Sequence, residues 1–174
     1  MTKTTLSGQK IAIMVAAGFD EKNFITIQKM LMGQNAQLKV ISASTGLVQG
    51  RTGKQLGMSY PVDTQLSETL AVDYDALIIP SGEAHISILA EELHAARIIK
   101  AFLRENMPVL VQGDALNLIS EIDTVIQTEL VRDQGETGRH NRLLWADAET
   151  SIVTITREFV NVCLEEQDSD SAAA

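Results

Sequence analysis

The chain has 174 residues, 45% of them apolar and 21% charged, with a formal net charge of −9 from 14 Lys+Arg against 23 Asp+Glu. That size and balance fit one globular domain with a core of its own. The acidic balance argues against nucleic acid and anionic membrane surfaces as partners, because both recruit clustered positive charge. One cysteine, Cys163, excludes a disulfide framework and a multi-cysteine zinc site, and a reduced cytoplasmic setting is the simplest reading.

Met1 to Lys10 is polar and lacks an apolar signal core. No apolar run reaches the roughly 20 residues needed to span a bilayer. The expected organisation is a flexible N-terminus over 1–9, a single domain over 10–166 and a disordered acidic tail over 167–174. Strands and helices alternate along the domain. Lys10 to Ala16 is a short apolar run that suits a strand buried on both faces. Phe24, Ile27 and Leu31 follow at helical spacing, with Gly33 as a helix stop. Gln37 to Ser42 reads as the second strand, and the glycines between Ser44 and Tyr60 point to a small hairpin or an irregular excursion, not a helix.

Asp75 to Pro80 is the next buried strand, closed by the turn Ser81-Gly82. Leu93, Ala96, Ile99, Phe102 and Leu103 predict one apolar helix face. Val109 to Gln112 is a fourth core strand, and Gly113-Asp114 leads into a helix over Ala115 to Glu121. Thr124 to Thr128 and Leu143 to Trp145 read as strands, separated by a turn-rich loop over Arg132 to Gly138. Ile152, Ile155, Phe159 and Val162 predict a terminal helix, although the β-branched run Ile152 to Thr156 disfavours one locally. The pattern predicts an α/β fold: a three-layer, doubly wound, mainly parallel sheet of flavodoxin-like type.

Ligands in such folds sit beyond the carboxyl ends of the strands. No Gly-x-Gly-x-x-Gly follows the first strand and no P-loop exists, so nucleotide chemistry has no anchor and no cofactor is expected. Glu21 and Asp20 suit an acidic loop or a helix start. Ser81, Gly82 and Glu83 form a turn that can present backbone N–H groups to an anion. Gly113 stands where strand-turn-helix enzymes carry a nucleophile, yet has no side chain. Asp114 is then read as an N-cap that accepts a backbone hydrogen bond. His85 and His94 lack metal-ligand spacing and are read as surface or capping histidines, so no metal is expected. Arg139-His-Asn-Arg142 is a basic island read as a solvated loop, with a carboxylate or phosphate contact left open, and Cys163 is read as a buried thiol.

The order of Lys10 to Glu21, Asp73 to Gly82 and Met107 to Ala115 resembles the PfpI-like branch of the class I glutamine amidotransferase-like superfamily. That resemblance implies a catalytic cysteine at the position of Gly113, a histidine at Asp114 and a glutamate at Asn23, with Glu21 two positions earlier. All three positions depart from the pattern, which implies a pseudoenzyme. Gln112 to Ala115, followed by Asp133 to Gly138 and a terminal helix, is more similar to the C-terminal domain of large-subunit catalases. The resemblance implies a structural, oligomerising or chaperone-like role in oxidative stress. It further implies a homodimer and, as partners, a catalase-like protein or unfolded clients. The initiating Met1 favours a free-standing chain over an excised domain. Two alternatives stay open: a small-molecule-binding domain using Glu21, Ser81, Gly82, Glu83, Gly113 and Asp114, or a hydrolase or lyase with relocated residues, Ser81 as nucleophile and Asp114 or Glu21 as base.

Overall fold

The computed structural model describes residues 5–123, 127 and 137–173, with only the backbone path over 166–173. The strand runs foreseen as buried on both faces are so. β1 (Lys10–Met14) lies between β3 (Gln37–Ser42) and β7 (Ala76–Ile79), pairing parallel with each. Beyond β7 come β8 (Val109–Gln112), β10 (Leu143–Ala146) and the antiparallel edge strand β9 (Thr137–His140). On the far edge sits the two-residue β6 (Thr64–Gln65). The sheet order β6-β3-β1-β7-β8-β10-β9 contains the flavodoxin-like arrangement, with its switch point between β1 and β7.

Alternate residues of the strands serve two cores, as the period of a pleated strand requires. Ala12, Met14, Leu77, Ile79, Val109 and Val111 face α2 (Glu83–Ala90), α3 (Leu93–Arg104) and α4 (Ala115–Ile122). Ile11, Ile13, Ile78, Leu110 and Leu144 face α1 (Glu21–Gly33) and α5 (Ile152–Ala173). A second, smaller sheet joins β2 (Phe19–Asp20) to the hairpin of β4 (Leu47–Thr52) and β5 (Gln55–Pro61). That hairpin answers the glycine-rich stretch of the sequence.

Several local expectations need correction. The buried face of α3 is Ala95, Ile98, Ile99 and Phe102, while Leu93 is 83% exposed, because at 3.6 residues per turn it falls on the opposite side of the helix. α1 includes Gly33, and the left-handed residue that turns the chain is Asn35 (φ 62). The basic island is the end of β9, Arg139 and His140, with the turn of Asn141 and Arg142 into β10. Asn141 there has φ 53, and Arg139 pairs with Glu165 at 2.8 Å. The run Ile152 to Thr156 is helical despite its β-branches, since Ile155 and Thr156 are buried against the sheet. That helix continues to Ala173, so its backbone takes in the acidic end set apart as a tail. The strand foreseen over Thr124 to Thr128 lies outside the described residues except Gln127, which is helical. The loop from Arg132 lies outside them up to Thr137, where β9 begins.

Candidate functional site

Three turns meet at the carboxyl ends of β1, β7 and β8. The first two touch through backbone. Asp20 N–H donates to the Ser81 carbonyl at 2.9 Å, while Gly18 N–H ties the first turn to β4 by donating to the Gln49 carbonyl at 2.9 Å. Such contact requires glycine on both sides. A Cβ on Gly82 (φ 138) would stand 2.7 Å from the Gly18 carbonyl oxygen, and one on Gly18 (φ 93) 2.8 Å from Ala84 Cβ. Asp20 then caps α1, its Oδ1 accepting from Asn23 N–H at 3.0 Å.

The third turn is the elbow. Gly113 follows the last residue of β8 at φ 56 and donates its N–H to the Ala146 carbonyl at 2.7 Å. Facing it is Ser81, buried at 6% exposure, whose Oγ accepts from Asn23 Nδ2 at 3.3 Å. The fold thus gathers Asn23, Ser81 and Gly113, three of the positions singled out in the sequence. Asp114 stands at the N-cap of α4, but its backbone is already helical (φ −62, ψ −15) and its side chain makes no capping bond. This corrects the capping role foreseen for it: a capping side chain needs the extended backbone that Asp114 lacks.

Glu21 is engaged elsewhere. It is 7% exposed, and its Oε1 accepts from Tyr60 Oη at 2.6 Å and Met58 N–H at 3.0 Å. Its Oε2 accepts from Thr52 Oγ1 at 3.2 Å. The Tyr60 hydroxyl, the Met58 amide and the Thr52 hydroxyl together hold the carboxyl below its ordinary range, against the opposing effect of burial. Tyr60 is pushed up to about 12, first by burial and then by the carboxylate beside it. Two hairpin glycines make room for this carboxylate. A Cβ on Gly57 would overlap its Oε2, and one on Gly50 would meet Glu21 Cβ and the Phe19 ring at 3.1 Å. Phe19, Phe24 and Tyr60 stack around the clamp with ring centroids 4.7 to 5.7 Å apart. Glu21 is therefore the fastening between α1 and the β4–β5 hairpin.

His85 is not a surface histidine. It is fully buried, because it lies on the inward face of α2 with Ile86 and Leu89. Its Nδ1 accepts from Ala16 N–H at 3.1 Å and its Nε2 lies 2.7 Å from the Pro80 carbonyl, so Nε2 carries the proton and donates. Burial pushes its pKa down to about 4, against the pull of the Pro80 carbonyl and the Asp114 charge. Both ring nitrogens are spent on the backbone of the turns after β1 and β7. The i, i+4 pairing of His85 with Leu89 was the available signal for this inward placement.

Gly82 and Glu83 open onto a cavity of about 380 Å³, bounded also by Gly18, Asp20 and Ala84. Arg51 and Lys54 reach it from the hairpin, a contribution invisible in the sequence order. Glu83 is exposed, in the first turn of α2. Among the described residues, no group of three His, Cys, Asp or Glu side chains is placed to hold a metal ion, and no helix is long and apolar enough to cross a membrane.

With this geometry in view, known proteins can be set beside the chain. Catalase HPII of Pseudomonas putida is 30% identical over 100 residues, which is 58% of this chain and 13% of that protein. General stress protein 18 of Bacillus subtilis is 28% identical over 102 residues, 59% of this chain and 58% of the relative. The chain thus spans a small part of the catalase and somewhat over half of the stress protein. Among solved structures, oxidized Toxoplasma gondii DJ-1 superposes with a TM-score of 0.74 at 17% identity, covering 95% of this chain and 97% of that one. The two-domain DJ-1/ThiJ/PfpI-like and ferritin-like protein of Anabaena variabilis superposes at 0.76 with 15% identity, covering 88% of this chain and 47% of that one. These structures establish the flavodoxin-like fold alone. The DJ-1/PfpI family pattern matches residues 9–126. By that match, which takes in β1, the elbow and the turns between them, the chain belongs to the DJ-1/PfpI family.

Proposed function

We propose that this chain is a non-catalytic member of its family, acting as a structural or chaperone-like domain in stress defence. The observation that carries the reading is Gly113: the elbow is built, with its positive φ, and bears no side chain. Two groups that could have taken over, Glu21 and His85, are occupied. Both oxygens of Glu21 accept hydrogen bonds from the hairpin, and both nitrogens of His85 serve backbone groups. Ser81 has Asn23 as its side-chain partner, an amide that cannot take a proton from a nucleophile. The names of the catalase and stress-protein relatives supply the link to stress. Association as a homodimer, with a catalase-like partner or with unfolded clients, in the cytoplasm, belongs to the same proposal. The test is turnover of glyoxals, esters and amides by the purified chain, beside suppression of client aggregation. No turnover with suppression is expected. Turnover that Ser81→Ala or Asp114→Ala abolishes would overturn the reading.

A second reading has its own observation, the cavity at Gly18 and Gly82 with Arg51 and Lys54 at its edge. Two cations in an acidic chain favour a small anionic or zwitterionic ligand there. A ligand specific to the native state must raise the melting temperature. A thermal-shift screen of carboxylates and phosphates that moves nothing would remove this reading.

A further inference from the structure

Residues 81 and 113 compete for one volume. A Cβ built on Gly113 would stand 2.9 Å from Ser81 Cβ and 3.8 Å from Ser81 Oγ, with Ala148 Cβ at 3.6 Å on the other side. The first distance is shorter than two non-bonded carbons tolerate. A Cβ is fixed to its backbone, so no rotamer of Ser81 relieves the clash and one of the two turns would have to move. The turn after β7 is held in place. Its Ser81 carbonyl accepts from Asp20 N–H at 2.9 Å, its Ser81 hydroxyl accepts from Asn23 Nδ2 at 3.3 Å, and the preceding Pro80 carbonyl is 2.7 Å from His85 Nε2. The turn after β8 is held by the bond from Gly113 N–H to the Ala146 carbonyl at 2.7 Å.

We infer that Ser81 is the residue that closes the elbow, so that position 81 decides whether this fold can bear any side chain at 113. Loss of a nucleophile is then a property of a pair of positions. Gly113→Cys alone does not reinstate one, whereas Ser81→Gly together with Gly113→Cys opens the site. This deepens the non-catalytic reading and rests on it. A thiol restored there would lie at the N-terminal end of α4, where the helix favours thiolate. It would have the Asn23 amide in place of an acid. Such a thiolate attacks the methylene carbon of iodoacetamide: a C–S bond forms, the C–I bond breaks, iodide leaves, and the thiol proton passes to solvent.

The test is a double-mutant cycle on the full chain: wild type, Gly113→Ala, Ser81→Gly and the pair, unfolded in urea. The positive φ strains any L residue at 113 whether or not Ser81 is present, so that cost cancels in the cycle and the clash remains. Gly113→Ala is expected to raise the unfolding constant at least ~10-fold more in the wild-type background than in the Ser81→Gly background. Additivity within about 2-fold would overturn the inference. If Gly113→Ala does not fold alone, rescue by Ser81→Gly supports the inference and failure of both overturns it. In a second arm, native Ser81→Gly/Gly113→Cys is treated with iodoacetamide and weighed. One added carbamidomethyl at residue 113, with Cys163 unlabelled, is expected; a folded protein that stays unlabelled at 113 would refute it. The non-catalytic reading fails differently, by turnover in the wild-type chain, which none of these variants measures.

Discussion

Lowering the pH from about 7.5 to 4.5 should weaken the folded chain through His85 before its perturbed carboxylates titrate. The unfolded chain takes up a proton on this residue as pH falls through its ordinary pKa of 6.5, while the folded chain resists until about 4. The sign follows: the stabilisation is present above 6.5 and drains away between 6.5 and 4. Geometry explains the resistance, because a proton on Nδ1 would face the Ala16 N–H that now donates to it at 3.1 Å. Each pH unit in this window removes somewhat over ~1 kcal/mol, so the loss by pH 4.5 is about 2–3 kcal/mol. That is a large share of the roughly 5–15 kcal/mol typical of a domain. Glu21 and Asp147, also lowered, have ordinary values of 4.5 and 3.8, so their contributions are lost mainly below this range. Urea unfolding of wild type and His85→Gln across the range isolates the effect, since glutamine does not titrate. Wild type should lose about 2–3 kcal/mol more than the variant. Stability curves that run parallel for the two proteins would refute the burial argument.

Glu21→Ala should free the β4–β5 hairpin, seen as faster amide exchange over residues 47–61, with the central sheet unchanged. Glu21→Gln should lower the Tyr60 hydroxyl from about 12 toward its ordinary 10, read by ultraviolet titration, with burial retaining part of the rise. Thr156→Val should stabilise by about 1 kcal/mol in urea unfolding, because Thr156 Oγ1 is buried and has no hydrogen-bond partner among the described residues. Gly138→Ala should destabilise by about 1–3 kcal/mol. The new methyl would fall inside the Trp145 indole, so the fluorescence of the chain's one tryptophan should report the displacement.

The legible parts of the sequence were those governed by local pattern. The runs at Lys10, Asp75 and Val109 are apolar because each strand is covered on both sides, and that alone marks them. Gly113 was legible because the strand-turn-helix grammar places it. The partners of Glu21 were not, since Thr52, Met58 and Tyr60 lie 31 to 39 residues away and meet it only when the hairpin folds over α1. The glycines at 50 and 57 looked like loop punctuation, whereas in the fold they are the space that carboxylate occupies. Asp114 was misjudged because residue type suggests a cap while the backbone angle decides whether one forms. The approach of Ser81 to Gly113 depends on the register of β7 against β8, which no single-residue signal encodes.

The burial of Cys163 has a consequence for how this molecule meets an oxidant. Cys163 is 1% exposed on α5, whereas Met32 and Met58 are 60% and 69% exposed. Peroxide in solvent therefore encounters methionine sulfur first, and sulfoxide, which reductases can reverse, is the lesion the folded chain accumulates. Sulfenic acid on Cys163 would require α5 to lift from the sheet, so its appearance would report unfolding and would not serve as a redox signal from the native protein.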